Sequence, residues 1–105
     1  MTNKKDIILK IRKAVKSVEP DATVILYGSY ARGEHTKQSD LDILILIDKA
    51  KVSRKDEKRV KYPLYDIEFE TGKIISPLVL SKKDWETRHK ITPFYENITK
   101  EGIEL

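Results

Sequence analysis

The chain contains no cysteine, so it can form neither a disulfide nor a zinc site with thiolate ligands. Its longest apolar run, residues 41–47, is far shorter than the roughly 20 residues that cross a bilayer. The opening residues, MTNKKD, lack the apolar segment of a signal peptide. These absences argue against a membrane anchor and against export. We therefore expect a soluble protein of the cytoplasm.

Charged residues make up 36% of the chain. There are 21 Lys and Arg against 17 Asp and Glu, which gives a net charge of +4. Such a composition is typical of a well-solvated surface, and its mild positive field would help a polyphosphate to approach. The sequence shows no basic stripe interleaved with aromatic residues, so a long nucleic acid is not expected as a partner.

The 105 residues are enough for one modest core, and we predict a single domain over residues 1–105. Apolar spacing and end signals predict alternating helices and strands, in an α+β fold with one small mixed sheet and helices packed on it. A helix over 3–18, capped by Thr2 or Asn3, precedes a strand over 22–27 whose continuous apolar character indicates burial on both faces. The remaining predictions are a short helix at 29–32, a strand at 40–47, a helix at 53–71, a strand at 73–80 that Pro77 confines to an edge or a bulge, a helix from Ser81 to about 91, a helix at 93–100 and a short tail.

The segment 53–71 allows two interpretations. Val60, Leu64 and Ile67 recur at helical spacing, and Gly72 follows as a C-terminal cap, so we favour a helix kinked near Pro63. Against this, residues 65–69 (YDIEF) alternate like a strand.

The most informative pattern lies around the second and third predicted elements. Gly28 and Ser29 close the first strand, and after ten further residues Asp40, Leu41 and Asp42 open the next strand. Residues i and i+2 of a strand point to the same face, so the two carboxylates project together while Leu41 turns into the core. A small-residue turn facing two parallel carboxylates can hold a triphosphate and its magnesium ion.

The segment GSYARGEHTKQSDLDILILI, residues 28–47, resembles the signature of the DNA polymerase beta-like nucleotidyltransferases. That signature is a Gly-Ser pair, a spacer and an Asp-x-Asp motif in a strand. The flanking residues are similar to the minimal nucleotidyltransferases of bacteria and archaea, which are single short domains of about this length. The resemblance therefore covers nearly the whole chain and implies a palm-like nucleotidyltransferase fold.

The resemblance implies that a nucleoside monophosphate, with AMP favoured, is transferred from an NTP to a hydroxyl of a small molecule or a partner protein. It implies one or two Mg²⁺ ions and ATP as the favoured substrate. In the family, a common partner is a separately encoded helical HEPN protein, in a toxin–antitoxin pair. The residues carried over are Gly28, Ser29 and Arg32 for the nucleotide phosphates, Asp40 and Asp42 for catalysis and the metal, and Glu34 and Ser76 for supporting roles.

The chain departs from the family pattern at one position. Catalytic members usually carry a third carboxylate on a later strand, and Ser76 stands at the corresponding place here. A serine has neither the metal affinity nor the basicity of a carboxylate. Asp66 or Glu68 would supply the group if 65–69 were a strand. Otherwise a one-metal mechanism, an acid from elsewhere such as Glu34 or Glu70, or a carboxylate from a partner could restore activity. Two functions stay open: an active nucleotidyltransferase, or a weak or inactive module that binds a nucleotide or a partner.

Overall fold

The computed structural model describes residues 4–36 and 38–105. The predicted helix start at residue 3, with its cap at Thr2 or Asn3, lies outside the described residues. In chain order, the elements are α1 (Lys4–Val18), β1 (Thr23–Tyr27), α2 (Ser29–Arg32), β2 (Leu41–Ile47), α3 (Arg54–Thr71), β3 (Ile75–Ser81), α4 (Lys82–Thr87), α5 (Pro93–Glu101) and β4 (Ile103–Glu104).

The strands form one mixed sheet in the order β3-β2-β1-β4. β1 pairs antiparallel with β2 and β4, whereas β2 and β3 are parallel. This arrangement confirms the predicted fold class. It also confirms that Pro77 lies in an edge strand, because β3 has a neighbouring strand on one side only.

β2 lies inside the sheet and is covered on both faces. Leu41, Ile43, Ile45 and Ile47 point toward α1 and α3 and join a core that includes Ile11 and Leu64. The alternate residues Leu44 and Leu46 pack against Trp85 of α4 and Ile98 of α5. Strand alternation therefore divides the molecule into an α1/α3 face and an α4/α5 face of the same sheet.

The prediction that β1 is buried on both faces was wrong. Val24 and Leu26 are buried in the main core, but Ile25 and Tyr27 are only half-buried on the α4/α5 face. The helices on that face have six and nine residues, against 15 and 18 for α1 and α3, so they cover less of the sheet.

α3 is helical through Pro63 to Thr71, so the alternative of a strand at 65–69 was wrong. Its start has a capping box, in which the Asp56 amide donates to Ser53 Oγ and the Ser53 amide donates to Asp56 Oδ2, both at 3.1 Å. Gly72 ends the helix in the left-handed conformation. Helical signals at both ends, together with buried Val60, Leu64 and Ile67, outweigh the local alternation.

Two predictions near the C-terminus need correction. α4 ends at Thr87 rather than near 91, although Ser81 caps it as expected by accepting from the Asp84 amide at 3.2 Å. The predicted tail contains β4, in which Ile103 pairs with Leu26. The Leu105 amide extends this pairing by donating to the Val24 carbonyl at 2.8 Å. A two-residue strand has no periodicity that a sequence pattern could reveal.

Within the described residues, no helix combines the length and the apolar character needed to cross a membrane.

Candidate active site

The turn after β1 is built around Gly28. Its backbone angles, φ 74° and ψ −154°, belong to a region that is essentially restricted to glycine. A Cβ atom at this position would overlap Asp42 Oδ2 and would lie 3.2 Å from Asp42 Cγ. Glycine is therefore required both by the backbone conformation and by the close approach of a carboxylate.

The chain turns directly from Gly28 into the four-residue helix α2. The Arg32 amide donates to the Gly28 carbonyl at 3.1 Å. Gly33 then ends the helix in the left-handed conformation, as predicted, and the Glu34 amide returns to the Ser29 carbonyl at 2.9 Å. These bonds hold the half-buried Ser29 at the beginning of the helix, next to the glycine turn.

The two aspartates lie beside this turn. Asp42 is in β2, opposite Tyr27 of β1 and Ser76 of β3, and its half-buried side chain is on the α4/α5 face. Asp40 immediately precedes the strand, and its Oδ2 accepts a 3.3 Å hydrogen bond from Ser76 Oγ. Leu41 is fully buried in the main core, as the alternation predicts. The structure thus brings the two carboxylates, the glycine turn and Ser76 to one end of the sheet.

The electrostatics of this cluster are unfavourable to ionised Asp42. Burial raises the pKa of its carboxyl, and the negative charge of Asp40 raises it further, while the Arg32 guanidinium partly offsets both. Burial, followed by the charge of Asp42, also raises the pKa of Tyr27. A cation between the two aspartates would relieve the repulsion that the protein alone leaves in place.

Arg32 joins α2 to the C-terminal part of the chain. Its Nε lies 3.0 Å from Glu34 Oε1, and a terminal guanidinium nitrogen lies 3.4 Å from Glu101 Oε2 at the end of α5. The sequence analysis did not identify Glu101, because it belongs to no motif and lies 69 residues from its partner. The exposed guanidinium is oriented by two carboxylates and still acts on Asp42 through its field.

The other acids considered for the missing carboxylate lie elsewhere. Glu70 pairs with Lys10 of α1 at 3.8 Å, in the helical layer on the opposite face of the sheet from Asp42. Glu68 Oε2 accepts a 2.7 Å hydrogen bond from the Ile75 amide and so fixes the start of β3. Asp66 is an exposed residue of α3.

The donor set suits magnesium carried by a nucleotide. Across residues 4–36 and 38–105, no cluster contains three or more His, Cys, Asp or Glu side chains that could hold a metal. Mg²⁺ commonly uses one or two carboxylates and completes its shell with water and substrate phosphate. Asp40 and Asp42 supply that number of carboxylates, and Ser76 takes the place beside them in the neighbouring strand.

Comparison with known proteins identifies the family. The nucleotidyltransferase domain family matches residues 8–103, so the chain belongs to this family. Two proteins of Methanocaldococcus jannaschii named "Putative protein adenylyltransferase" are similar to it. MJ0141 is 29% identical over 103 residues, which are 95% of this chain and 96% of that protein. MJ1379 is 43% identical over 44 residues, which are 42% of this chain and 44% of that protein.

A solved structure supports the fold. It is described as a toxin–antitoxin crystal structure with AMP-PNP, and it superposes on 91% of this chain and 69% of its own with a TM-score of 0.65. The sequence identity is 15%, so the likeness concerns the fold alone. The mixed sheet with its helices is therefore a nucleotidyltransferase-like fold.

We expect Gly28→Ala to destabilise the protein more than Gly33→Ala does. Both glycines have φ 74°, but a Cβ at Gly33 meets nothing within 4 Å. The left-handed conformation of Gly33 costs about 1–2 kcal/mol for alanine. At Gly28, the ψ of −154° lies in a region essentially restricted to glycine, and overlap with the Asp42 carboxylate adds to that backbone cost. Urea denaturation of the two variants measures the difference. Equal destabilisation would contradict the close approach of Asp42.

We expect Asp42→Asn to stabilise the folded protein at pH 7 in magnesium-free buffer. The pKa of this carboxyl is higher in the folded state than the unfolded value of about 3.9, so the folded protein favours the protonated form. The carboxyl therefore contributes most to stability at low pH, where it is protonated. That contribution is lost as the pH rises through the raised pKa. The Tm of Asp42→Asn should therefore exceed that of the parent at pH 7, and the gap should close toward pH 3. Asp48→Asn, in the exposed turn after β2, is the control and should show no such gain. A variant that melts below the parent at pH 7 would refute this account.

Proposed function

We propose that this protein transfers AMP from ATP to a hydroxyl group of a partner protein, with Mg²⁺ held by Asp40 and Asp42. The observation that carries the proposal is the contact between the Asp42 carboxylate and the glycine turn at Gly28. In this contact, a carboxylate of the kind that can hold a divalent cation lies against the backbone of the turn, in the space that a side chain at Gly28 would fill. Membership of the nucleotidyltransferase family supports the same reaction class.

The chain's own residues have distinct roles in this proposal. Gly28 lets a phosphate approach the backbone, and Ser29 offers an amide and a hydroxyl to the terminal phosphates. Arg32 adds positive charge beside the turn. Magnesium, when bound, would neutralise phosphate charge and polarise the α-phosphate. The acceptor oxygen then forms a bond to the α-phosphorus, pyrophosphate leaves, and the hydroxyl proton passes to solvent.

The proposed acceptor is a protein. The relatives from M. jannaschii carry the name of protein adenylyltransferases, and the structural neighbour is described as a toxin–antitoxin assembly with AMP-PNP. The described residues form one four-stranded sheet with its helices, and among them there is no second lobe that could enclose an acceptor. We therefore propose a separately encoded partner at an open cleft, and the family resemblance favours a helical HEPN-type protein.

A second candidate function is nucleotide or partner binding without turnover. It is favoured by Ser76, whose hydroxyl donates to Asp40 where a third carboxylate would act as a ligand and a base. In that case, the protein acts by binding its nucleotide or its partner without catalysis, as the antitoxin-like half of a two-protein system would.

The decisive experiment uses ATP labelled at the α-phosphate, with Mg²⁺, the full chain and its co-purified partner. Transfer of AMP predicts label on a protein and release of pyrophosphate, whereas ATP labelled at the γ-phosphate leaves the proteins unlabelled. Asp42→Asn should reduce labelling at least about 100-fold, because a metal ligand contributes several kcal/mol. Asp48→Asn, at the other end of β2, should retain full activity.

The same assay separates the two candidate functions. Magnesium-dependent ATP binding without pyrophosphate release, with or without the partner, would exclude the transferase and support the binding module. If Asp42→Asn binds Mg-ATP as the parent does, both candidates are wrong about the site.

Replacing Ser76 tests the missing carboxylate directly. Ser76→Asp adds a carboxylate in register with Asp42, so we expect stronger magnesium binding and faster AMP transfer. Ser76→Asn is the matched control, since it has a similar size without the charge. Equal rates for the aspartate and asparagine variants would show that position 76 does not limit turnover.

A further inference from the structure

α3 carries an aromatic stripe on the face that points away from the sheet. Tyr62, Tyr65 and Phe69 are 57%, 44% and 92% exposed. Their spacing of three and four residues places them on one side of the helix, while Val60, Leu64 and Ile67 occupy the buried side. Nearly complete exposure of a phenylalanine next to two exposed tyrosines is typical of an interaction surface.

Two shallow grooves extend this stripe into a continuous surface. One, of about 360 Å³, is lined by Tyr65, Glu68, Phe69, Gly72, Lys73 and Ile74. The other, also of about 360 Å³, is lined by Arg54, Glu57, Lys58, Lys61, Tyr62 and Tyr65. Tyr65 belongs to both grooves, so the surface runs along the whole length of α3.

The charge along α3 changes sign from one end to the other. After the capping turn, the first half carries Lys58, Arg59 and Lys61, whereas the second half carries Asp66, Glu68 and Glu70. The last turn contains no basic residue. Acids at a helix C-terminus oppose the helix macrodipole, so the stability of the isolated helix does not account for this order.

An antiparallel pair of identical helices makes this order favourable. The basic half of each helix then lies against the acidic half of the other, and a two-fold axis relates these two equivalent contacts. With the axis near residues 64 and 65, the aromatic stripes meet at the centre. Lys61 of each copy lies on the same flank as Glu68 of the other.

We propose that α3 is a self-association surface through which two copies of this chain form an antiparallel, two-fold symmetric dimer. Tyr62, Tyr65 and Phe69 form its apolar centre. The opposed charged halves of α3 fix its orientation. The dimer does not depend on nucleotide transfer, because its surface is on the opposite face of the sheet from Asp42.

A single-stranded nucleic acid fits this surface less well. Aromatic side chains beside basic residues could stack bases, a combination that the helix brings together although the sequence analysis did not anticipate it. However, Asp66 and Glu68 flank the stripe next to Phe69, where they would repel a phosphate backbone. Beyond its capping turn, α3 has the two charge signs in separate halves, which matches a second copy and not a polyanion.

Sedimentation equilibrium of the full chain tests the apolar centre. We expect reversible dimerisation as the concentration rises through the micromolar range, and a loss of affinity of at least about tenfold in the double variant Tyr65→Ala/Phe69→Ala. Ile91→Ala is the matched control, because Ile91 is 91% exposed but lies in the turn after α4. It should dimerise like the parent. Thermal unfolding of each variant shows whether its fold is intact.

A charge exchange tests the orientation. Beyond the capping turn, Lys58→Glu/Lys61→Glu leaves both halves of α3 with a net negative charge, and Asp66→Lys/Glu70→Lys leaves both with a net positive charge. Each variant alone should therefore associate more weakly than the parent. Mixed together, they should form a heterodimer, because each supplies the charges that the other lacks.

Three results would overturn the proposal. The first is a parent that stays monomeric up to about 300 µM. The second is a dimer that neither the aromatic nor the charge variants weaken. The third is a monomer that binds a fluorescent single-stranded oligonucleotide and loses this binding in Tyr65→Ala/Phe69→Ala, which would assign the surface to nucleic acid.

Discussion

The site depends on keeping one carboxylate inside a strand that is otherwise apolar and buried. Asp42 interrupts the run of β2 at the point where β1 turns away, and burial together with Asp40 makes its ionised form unfavourable. The fold accommodates it with Gly28, whose missing side chain leaves room for the carboxylate. A charge retained at this cost is better explained by a ligand that compensates it than by packing, because an apolar residue would suit the strand.

The C-terminal elements support this arrangement from a distance. β4 pairs with β1, the strand that leads into the glycine turn, and Glu101 at the end of α5 holds Arg32 of α2. The turn is therefore fixed from both sides, by the sheet and by an ion pair. An exposed pair of this kind contributes little to stability, so its main consequence is the orientation of Arg32 next to Asp42.

Local signals explain which parts could be predicted from the sequence. The caps at Ser81 and Gly72 are short-range chemistry, and the i and i+2 spacing of Asp40 and Asp42 follows from strand geometry alone. What could not be predicted is set by tertiary packing. β4 is too short to have a period, the outer face of β1 is half-buried because α4 and α5 are short, and Glu101 reaches Arg32 only after the chain has folded.

The serine at position 76 affects nucleotide binding and catalytic turnover differently. A third carboxylate beside Asp40 and Asp42 would increase the affinity for a metal ion. It would also increase the repulsion among the carboxylates when no cation is bound. A serine avoids that repulsion, and its hydroxyl stabilises Asp40 by a hydrogen bond. If Asp40 and Asp42 hold magnesium as proposed, phosphate oxygens of the nucleotide would have to complete the coordination shell, because the ion keeps few protein ligands. Under the proposed function, the nucleotide would bring the metal, and turnover would depend on how well a magnesium ion held by only two protein carboxylates neutralises the charge of the leaving pyrophosphate.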